Sequence, residues 1–173
     1  MILINGTNFI DGLNTLALGY YLIVSLAIIK SEILINLNIA SSDFFYWVIT
    51  LFFLFFFNLF KKIFIGDGGS YLLGLIYSFL LIFAYTANQE ISPFFIVLLL
   101  WYPCFENLFS IIRKYNLNKS PINPDAKHFH QLIFFYLKKK YLFKNNLTNS
   151  LSANIINLYN VLVFFIGLQD IKN

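Results

Sequence analysis

Residues 66–70, which read GDGGS and are called here the glycine motif, place a carboxylate among residues that suit phosphate chemistry. Glycines let backbone N–H groups approach an anion, and a helix starting after Ser70 would add its positive end to that pocket. Gly68 and Ser70 are therefore candidate phosphate contacts. Asp67 is a candidate ligand for Mg²⁺, which one or two carboxylates usually hold together with substrate phosphates. The alternative is a plain turn with Ser70 as the N-cap, and no lysine follows to make a Walker A motif.

Residues 5–14, which read NGTNFIDGLN and are called the N-terminal motif, precede an apolar segment. Asn8 and Asp11 lie three positions apart, on one face of a helix, and can therefore reach one ligand together. The alternative is a helix start, because Asn and Asp are favoured N-caps. A cap needs one such residue, whereas Asn5, Asn8 and Asp11 supply three, so we predict that this motif contributes to a site.

Residues 113–131, called the histidine segment, read RKYNLNKSPINPDAKHFHQ, with prolines and asparagines that break a helix. His128 and His130 could bind Zn²⁺, but no cysteine or third histidine completes a ligand set. We favour contact with a phosphate or diphosphate. The alternative is a solvated basic loop. The candidate residues of this segment are Arg113, Lys119, Asp125, Lys127, His128 and His130.

Glu106 lies in the apolar stretch WYPCFENLFSIIRK that precedes the histidine segment. An ionisable residue at membrane depth is a functional candidate, because leaving it unpaired there costs about 3 kcal/mol. Two structural alternatives stay open: the side chain could snorkel to the interface, or it could pair with Arg113 about two helical turns away.

The elements that must position these motifs are membrane helices. Of the 173 residues, 59% are hydrophobic and only 12% are charged, about half the charged fraction of a soluble domain. A bilayer core needs roughly 20 apolar residues as a helix, and five segments come near that length. The sequence therefore predicts an all-α integral membrane protein with about five transmembrane helices. The segments are Leu13–Ile29, Phe44–Phe60, Tyr71–Ala87, Pro93–Ile112 and, more weakly, Ile155–Leu168.

The loop charges predict which side the motifs face. If the chain crosses at every segment, residues 5–12, 61–70 and 113–150 share one side. That side holds all of the 12 lysines and arginines except Lys30 and Lys172, so the positive-inside rule makes it cytoplasmic. All the candidate chemistry then faces the cytoplasm. The basic residues are too few and too scattered to indicate nucleic-acid binding.

Taken together, the three stretches resemble the polyprenyl-phosphate glycosyl-1-phosphate transferases of glycosyltransferase family 4. That group includes the phospho-MurNAc-pentapeptide translocase and the undecaprenyl-phosphate GlcNAc-1-phosphate transferases. NGTNFIDG is similar to the family pattern N-x-x-N-x-x-D-G, and KIFIGDGGSYLLG to K-x-F-x-G-D-x-G-S-x-x-L-G. The run from Pro103 to His130 resembles its cytoplasmic histidine loop. Two positions depart from the family: Gln131 stands where a further histidine is common, and Glu106 where Asp is common.

The resemblance implies transfer of a sugar 1-phosphate, expected to be an N-acetylhexosamine 1-phosphate, from a UDP-sugar to undecaprenyl or another polyprenyl phosphate, with release of UMP. It implies Mg²⁺, with Mn²⁺ as an alternative, and a place in the bacterial inner membrane in cell-wall or lipopolysaccharide synthesis. Asp67 would hold the metal, and Asn8 with Asp11 would position nucleotide and metal. His128 and His130 would contact the nucleotide phosphates or the sugar. Asn5 would be a more distant contact.

The resemblance also implies that residues 1–173 form a single membrane domain corresponding to the C-terminal half of the family fold. The adjacent aspartate pair of the N-terminal half does not occur in this sequence. We therefore expect a fragment or split gene product, completed by a separate chain or in a homodimer. The alternative is a catalytically silent membrane fragment that retains the fold or nucleotide-sugar binding. A transporter is disfavoured because the spans are largely apolar.

Overall fold

The computed structural model describes residues 1–31, 41–87, 91–118, 127–141 and 144–170. These residues form helices and connecting turns with no strand among them, which confirms the all-α prediction. Asp125 and Lys119, both predicted candidates, lie outside the described residues. The helices are α1 (Ile2–Ile10), α2 (Leu16–Lys30), α3 (Ser41–Leu59), α4 (Gly66–Ala87), α5 (Pro93–Asn116), α6 (Phe129–Tyr141) and α7 (Asn145–Gly167), followed by a 3₁₀ turn at Leu168–Asp170.

Four helices are long and apolar enough to cross a membrane: α3, α4, α5 and α7. The chain is therefore a membrane protein, as its composition predicted. The segment predicted at Leu13–Ile29 is the 15-residue helix α2, which is apolar but shorter than these four. The segment predicted only weakly, Ile155–Leu168, belongs to the 23-residue helix α7. The start of α7 thus lies ten residues before the predicted one.

Polar residues that lowered the apparent hydropathy of α7 lie inside the bundle. Thr148, Ser152 and Asn160 are fully buried, and the Asn157 side chain donates to the Thr15 carbonyl at 3.2 Å. In a membrane helix such residues face neighbouring helices, because lipid offers them no hydrogen-bond partner. The inward polar face of α7 therefore explains why hydropathy placed its start ten residues late.

Helix α2 forms the centre of the bundle, packed against both α3 and α7. Its core side chains Tyr20, Tyr21, Val24 and Ile28 show no solvent exposure. The outer helix α3 shows the opposite pattern, since its phenylalanines at 52, 53, 56 and 57 are exposed. Exposed phenylalanines on a spanning helix face lipid.

Helix α1 lies against α4 and α5. Its Gly6 sits so close to α5 that an added Cβ would lie 2.0 Å from the Pro103 carbonyl oxygen. Pro103 interrupts the backbone hydrogen bonds of α5, which continues as one helix, because it has no N–H to donate to the Leu99 carbonyl. The Tyr20 hydroxyl of α2 donates to that carbonyl at 2.8 Å. The interruption in α5 therefore lies where α1 and α2 both meet that helix.

Candidate active site

The N-terminal motif and the glycine motif meet through Asn8, in the last turn of α1. The Ser70 hydroxyl donates to the Asn8 side-chain oxygen at 3.0 Å, and the Asn8 amide donates to the Tyr71 hydroxyl at 3.2 Å. One turn along α4, a Cβ on Gly74 would lie 2.9 Å from both the Ile4 Cα and the Thr7 hydroxyl. Gly74 thus allows the close approach of α1 and α4 that brings Asn8 to Ser70.

The glycine motif forms the first turn of α4, which begins at Gly66. The prediction that this helix starts after Ser70 is therefore wrong, and so is the alternative that Ser70 is its N-cap. Gly66 has φ +63°, a conformation that favours glycine, and it turns the chain into the helix. Asp67 and Gly68 are exposed at this end, and a Cβ built on Gly68 would meet no atom of the described residues within 4 Å beyond its chain neighbours and its own helix backbone.

The N-terminal motif forms a helix of its own, α1, instead of capping α2. Asp11 follows its last turn, and its N–H bonds to the Asn8 carbonyl at 3.3 Å. The cap alternative is therefore wrong: α2 is preceded by Thr15, whose side chain makes no capping bond. Asn5 is exposed one turn before Asn8.

Asp11 lies close enough to Asp67 for the two carboxylates to repel each other. Burial, and secondarily the charge of Asp67, raises the pKa of Asp11 to about 7. Two carboxylates held together against repulsion suit a divalent cation, which would favour the ionised form of both. Among the described residues, no third acidic, histidine or cysteine side chain completes a metal site with them. A cation here would therefore need further oxygen ligands from a substrate.

The histidine segment reaches the N-terminal motif through both imidazoles. The Phe9 and His128 rings lie 4.8 Å apart, and a Cβ on Gly12 would lie 2.5 Å from Nε2 of His130. Both histidines are buried, with their ring planes within 5° of parallel. All three motifs therefore meet around α1 and the residues that follow it.

Glu106 of α5 is fully buried behind these histidines. Nδ1 of His128 lies 3.4 Å from one carboxylate oxygen, and Nδ1 of His130 lies 3.5 Å from the other. The Tyr102 hydroxyl also donates to Glu106, at 3.1 Å. Glu106 therefore neither snorkels nor depends on Arg113. The sequence signalled it only as an ionisable residue in an apolar run.

Arg113 and Lys127 meet at the entrance to the histidine segment. The Arg113 guanidinium lies 4.9 Å from the Phe109 ring centre and donates to the Lys127 backbone carbonyl. Arg113 thus fixes the chain immediately before His128. The Lys127 side chain is exposed. Substrate contact by either residue stays a prediction.

Thr15 forms a constrained joint between the N-terminal motif and α2. It is a β-branched residue with φ +70°, where such residues are rare. Its N–H donates to the Asn58 side chain at 2.6 Å, and Asn58 in turn donates to the Ile63 carbonyl at 2.7 Å. Asn58 therefore links the end of the N-terminal motif to the approach to the glycine motif. The sequence analysis missed Thr15 and Asn58, since nothing local marks them.

Comparison with known proteins relates this chain to one family. Residues 1–85, which include the N-terminal and glycine motifs, match the family model for glycosyl transferase family 4. The chain is 35% identical over 142 residues to a probable undecaprenyl-phosphate N-acetylglucosaminyl 1-phosphate transferase of Bacillus subtilis, covering 76% of this chain and 37% of the relative. It is 29% identical over 135 residues to an undecaprenyl-phosphate alpha-N-acetylglucosaminyl 1-phosphate transferase of Thermotoga maritima, covering 75% and 39%.

A third relative is the decaprenyl-phosphate N-acetylglucosaminephosphotransferase of Mycolicibacterium smegmatis, 32% identical over 149 residues, with 74% of this chain and 37% of the relative covered. The chain thus spans less than two fifths of the length of these relatives. No solved structure matches it significantly. The family match and the three relatives, together with the meeting of all three motifs, identify the chain as a partial member of glycosyl transferase family 4.

Proposed function

We propose that this chain carries the nucleotide-sugar side of an enzyme that transfers an N-acetylhexosamine 1-phosphate from a UDP-sugar to undecaprenyl or another polyprenyl phosphate, releasing UMP. The observation that carries the proposal is the meeting of Asn8 with Ser70, and of Phe9 and Gly12 with the two histidines. The printed names of the relatives describe N-acetylglucosamine 1-phosphate transferases or phosphotransferases of undecaprenyl phosphate or decaprenyl phosphate. The reaction joins two phosphates, so it needs charge neutralisation and alignment more than covalent help.

In this proposal, Asp67 and Asp11 hold Mg²⁺, or Mn²⁺ in its place, together with the diphosphate of the donor. Their mutual repulsion fits the need for a cation, and Asp67 is exposed at the positive end of α4. The metal, when bound, supplies charge neutralisation at the diphosphate. Asn8 keeps Asp11 and the first turn of α4 in register through its contact with Ser70.

The remaining residues contact the donor. Gly68 offers a backbone N–H group to a phosphate in the first turn of α4, and the buried Ser70 supports that turn through its hydroxyl, which donates to the Asp67 carbonyl at 3.0 Å. His130 lies against Gly12 and His128 against Phe9, so both rings border the N-terminal motif where we place the nucleotide sugar, and Arg113 with Lys127 holds the entrance to the histidine segment. Asn5 lies exposed one turn before Asn8, at the edge of the site.

The proposed site faces the cytoplasm of a bacterium, from its inner membrane, in the synthesis of a cell-envelope polysaccharide such as lipopolysaccharide or cell wall. The support is the basic charge of the regions that contain the motifs. UDP-sugars are water-soluble and the polyprenyl phosphate is held in the bilayer, so a site at the membrane surface reaches both.

The test has a binding arm and a turnover arm. The purified chain in nanodiscs should bind UDP-GlcNAc in a manner that depends on Mg²⁺, measured by calorimetry. It should release UMP, with undecaprenyl phosphate present, when co-expressed with the part of the Bacillus subtilis relative that this chain does not match. Absence of both binding and UMP would overturn the proposal. Binding without UMP under every pairing would support the alternative function, a silent fragment that retains nucleotide-sugar binding.

A further inference from the structure

Helix α6 begins at the histidines, and its first N–H groups need acceptors because no preceding turn supplies them. The Phe129 N–H donates to one Glu106 oxygen at 3.2 Å, and the His130 N–H to the other at 3.4 Å. The His128 N–H donates to the Gln131 side chain at 3.1 Å, as in one half of a capping box. Glu106, which belongs to α5, therefore caps α6 from a neighbouring helix.

The same carboxylate faces both imidazoles. Each of its oxygens already accepts a backbone N–H, and one of them also accepts the Tyr102 hydroxyl. Nδ1 of each histidine lies 3.4 or 3.5 Å from this group of acceptors. A ring nitrogen that carries a hydrogen is favoured beside a carboxylate, whereas a lone pair is repelled. The geometry therefore favours a hydrogen on Nδ1 of both rings.

We infer that Glu106 is a positioning residue that keeps a hydrogen on Nδ1 of His128 and His130 and so leaves Nε2 of each ring as the atom that meets substrate. For His130, Nε2 lies against Gly12 of the N-terminal motif, where it is buried and has no hydrogen-bond partner among the described residues. A neutral ring then presents Nε2 as an acceptor for a sugar hydroxyl or amide. A ring that gains a second proton presents Nε2 as a donor to a phosphate, with Glu106 as its counter-charge.

The sequence offers a direct test, because these are the only two histidines of the chain. Selective ¹⁵N-histidine labelling in nanodiscs yields four ring-nitrogen signals, which single His128→Asn and His130→Asn variants assign. We expect both Nδ1 atoms of the unmodified chain to carry a hydrogen. The inference is overturned if either Nδ1 carries no hydrogen. The deciding spectrum is that of the unmodified chain, so the test holds even where a variant does not fold.

Substitution of the carboxylate separates positioning from mere capping. In Glu106→Gln, one oxygen becomes an NH₂ group, which cannot accept a hydrogen, so one of the two rings should lose its Nδ1 hydrogen. Gln131→Ala is the matched control: it removes a capping contact of the same helix turn but no group that faces a ring, and both Nδ1 hydrogens should remain. A Glu106→Gln spectrum that keeps both Nδ1 hydrogens would contradict the inference.

The consequence for substrate rests on the proposed function and is tested separately. Addition of UDP-GlcNAc with Mg²⁺ should shift the Nε2 signals and leave both Nδ1 atoms protonated. If no signal moves while Nδ1 stays protonated, the proposed donor fails and the positioning role of Glu106 stands. If the donor binds and shifts Nδ1 signals instead, the binding proposal stands and the assignment of Nε2 as the contact atom is wrong.

Discussion

Gly12 packs against the imidazole of His130 so closely that even a methyl group at residue 12 would lie 2.5 Å from Nε2. The two residues are far apart in the chain, yet this contact closes the site between the N-terminal motif and the histidine segment. Glycine is required here for space, since its backbone has no unusual φ.

Gly12→Ala should therefore displace the His130 side chain or the residues that connect α1 to α2. We expect a loss of about 1–3 kcal/mol in stability, the usual cost of overpacking, and weaker UDP-GlcNAc binding. Thermal unfolding in detergent and calorimetry measure the two effects. Gly68→Ala is the control for stability, because a Cβ there meets no protein atom. Equal stability loss in both variants would contradict the contact.

Asp67→Asn should abolish Mg²⁺-dependent binding of UDP-GlcNAc and the release of UMP, because it removes the proposed metal ligand. Helical content and membrane insertion should not change, since Asp67 is exposed. Asp43→Asn is matched to it: Asp43 is also an exposed acid in the first turn of a helix, α3, but it is not part of the three motifs. Activity retained in Asp67→Asn, or lost equally in both variants, would contradict the metal role.

The raised pKa of Asp11, about 7, predicts how stability depends on pH. Between about pH 4 and pH 7 the carboxyl ionises in the unfolded chain but keeps its proton in the folded chain, so stability falls as pH rises through this window. Asp11→Asn cannot ionise and should escape this loss. The melting temperature of Asp11→Asn minus that of the unmodified chain should increase from about pH 4 to pH 7 and stay constant above that.

The measurement is thermal unfolding over that pH range without divalent cations. A difference between the two proteins that does not change with pH would contradict the assigned pKa. Added Mg²⁺ should raise the melting temperature of the unmodified chain more than that of Asp11→Asn, because only the former keeps both carboxylates.

Tyr20→Phe should cost about 1–2 kcal/mol, because it leaves the Leu99 carbonyl buried without its hydroxyl donor. Pro103→Ala restores an N–H that can reach the same carbonyl along α5. In the Pro103→Ala background, Tyr20→Phe should therefore cost at most half as much. A double-mutant cycle on thermal unfolding measures this coupling. Additive effects would show that the hydroxyl does not compensate for the proline.

Asn58→Ala should cost about 2–3 kcal/mol, since both ends of its buried amide are used. Without the Asn58 side chain, the backbone at Thr15 loses its hydrogen-bond acceptor. This should also weaken UDP-GlcNAc binding, because Thr15 directly follows the N-terminal motif. The control is Thr50→Val on the same helix, whose exposed hydroxyl bonds only to its own turn. A loss in Asn58→Ala no larger than in Thr50→Val would contradict the linking role.

The sequence by itself determined the class of protein and the three motifs. Composition and hydropathy are summed over many residues, so a single atypical position does not change the predicted class. Helical periodicity alone places Asn8 and Asp11 on one face of a helix. Bounds were less predictable. Inward polar residues hid the first ten residues of α7, and the glycine motif proved to be helical although its composition resembles a turn.

Only the tertiary structure decided which residues support the motifs. Glu106, Asn58 and Thr15 act on partners 22 to 43 residues away, through contacts that no local pattern encodes. The sequence showed a carboxylate in an apolar helix and two histidines in a separate segment. In the fold, the carboxylate caps the helix of those histidines and faces both rings, which follows from how α5 and α6 pack. The physical reason is that a buried polar group is costly unless it has a hydrogen-bond partner, and the partner can come from any part of the chain.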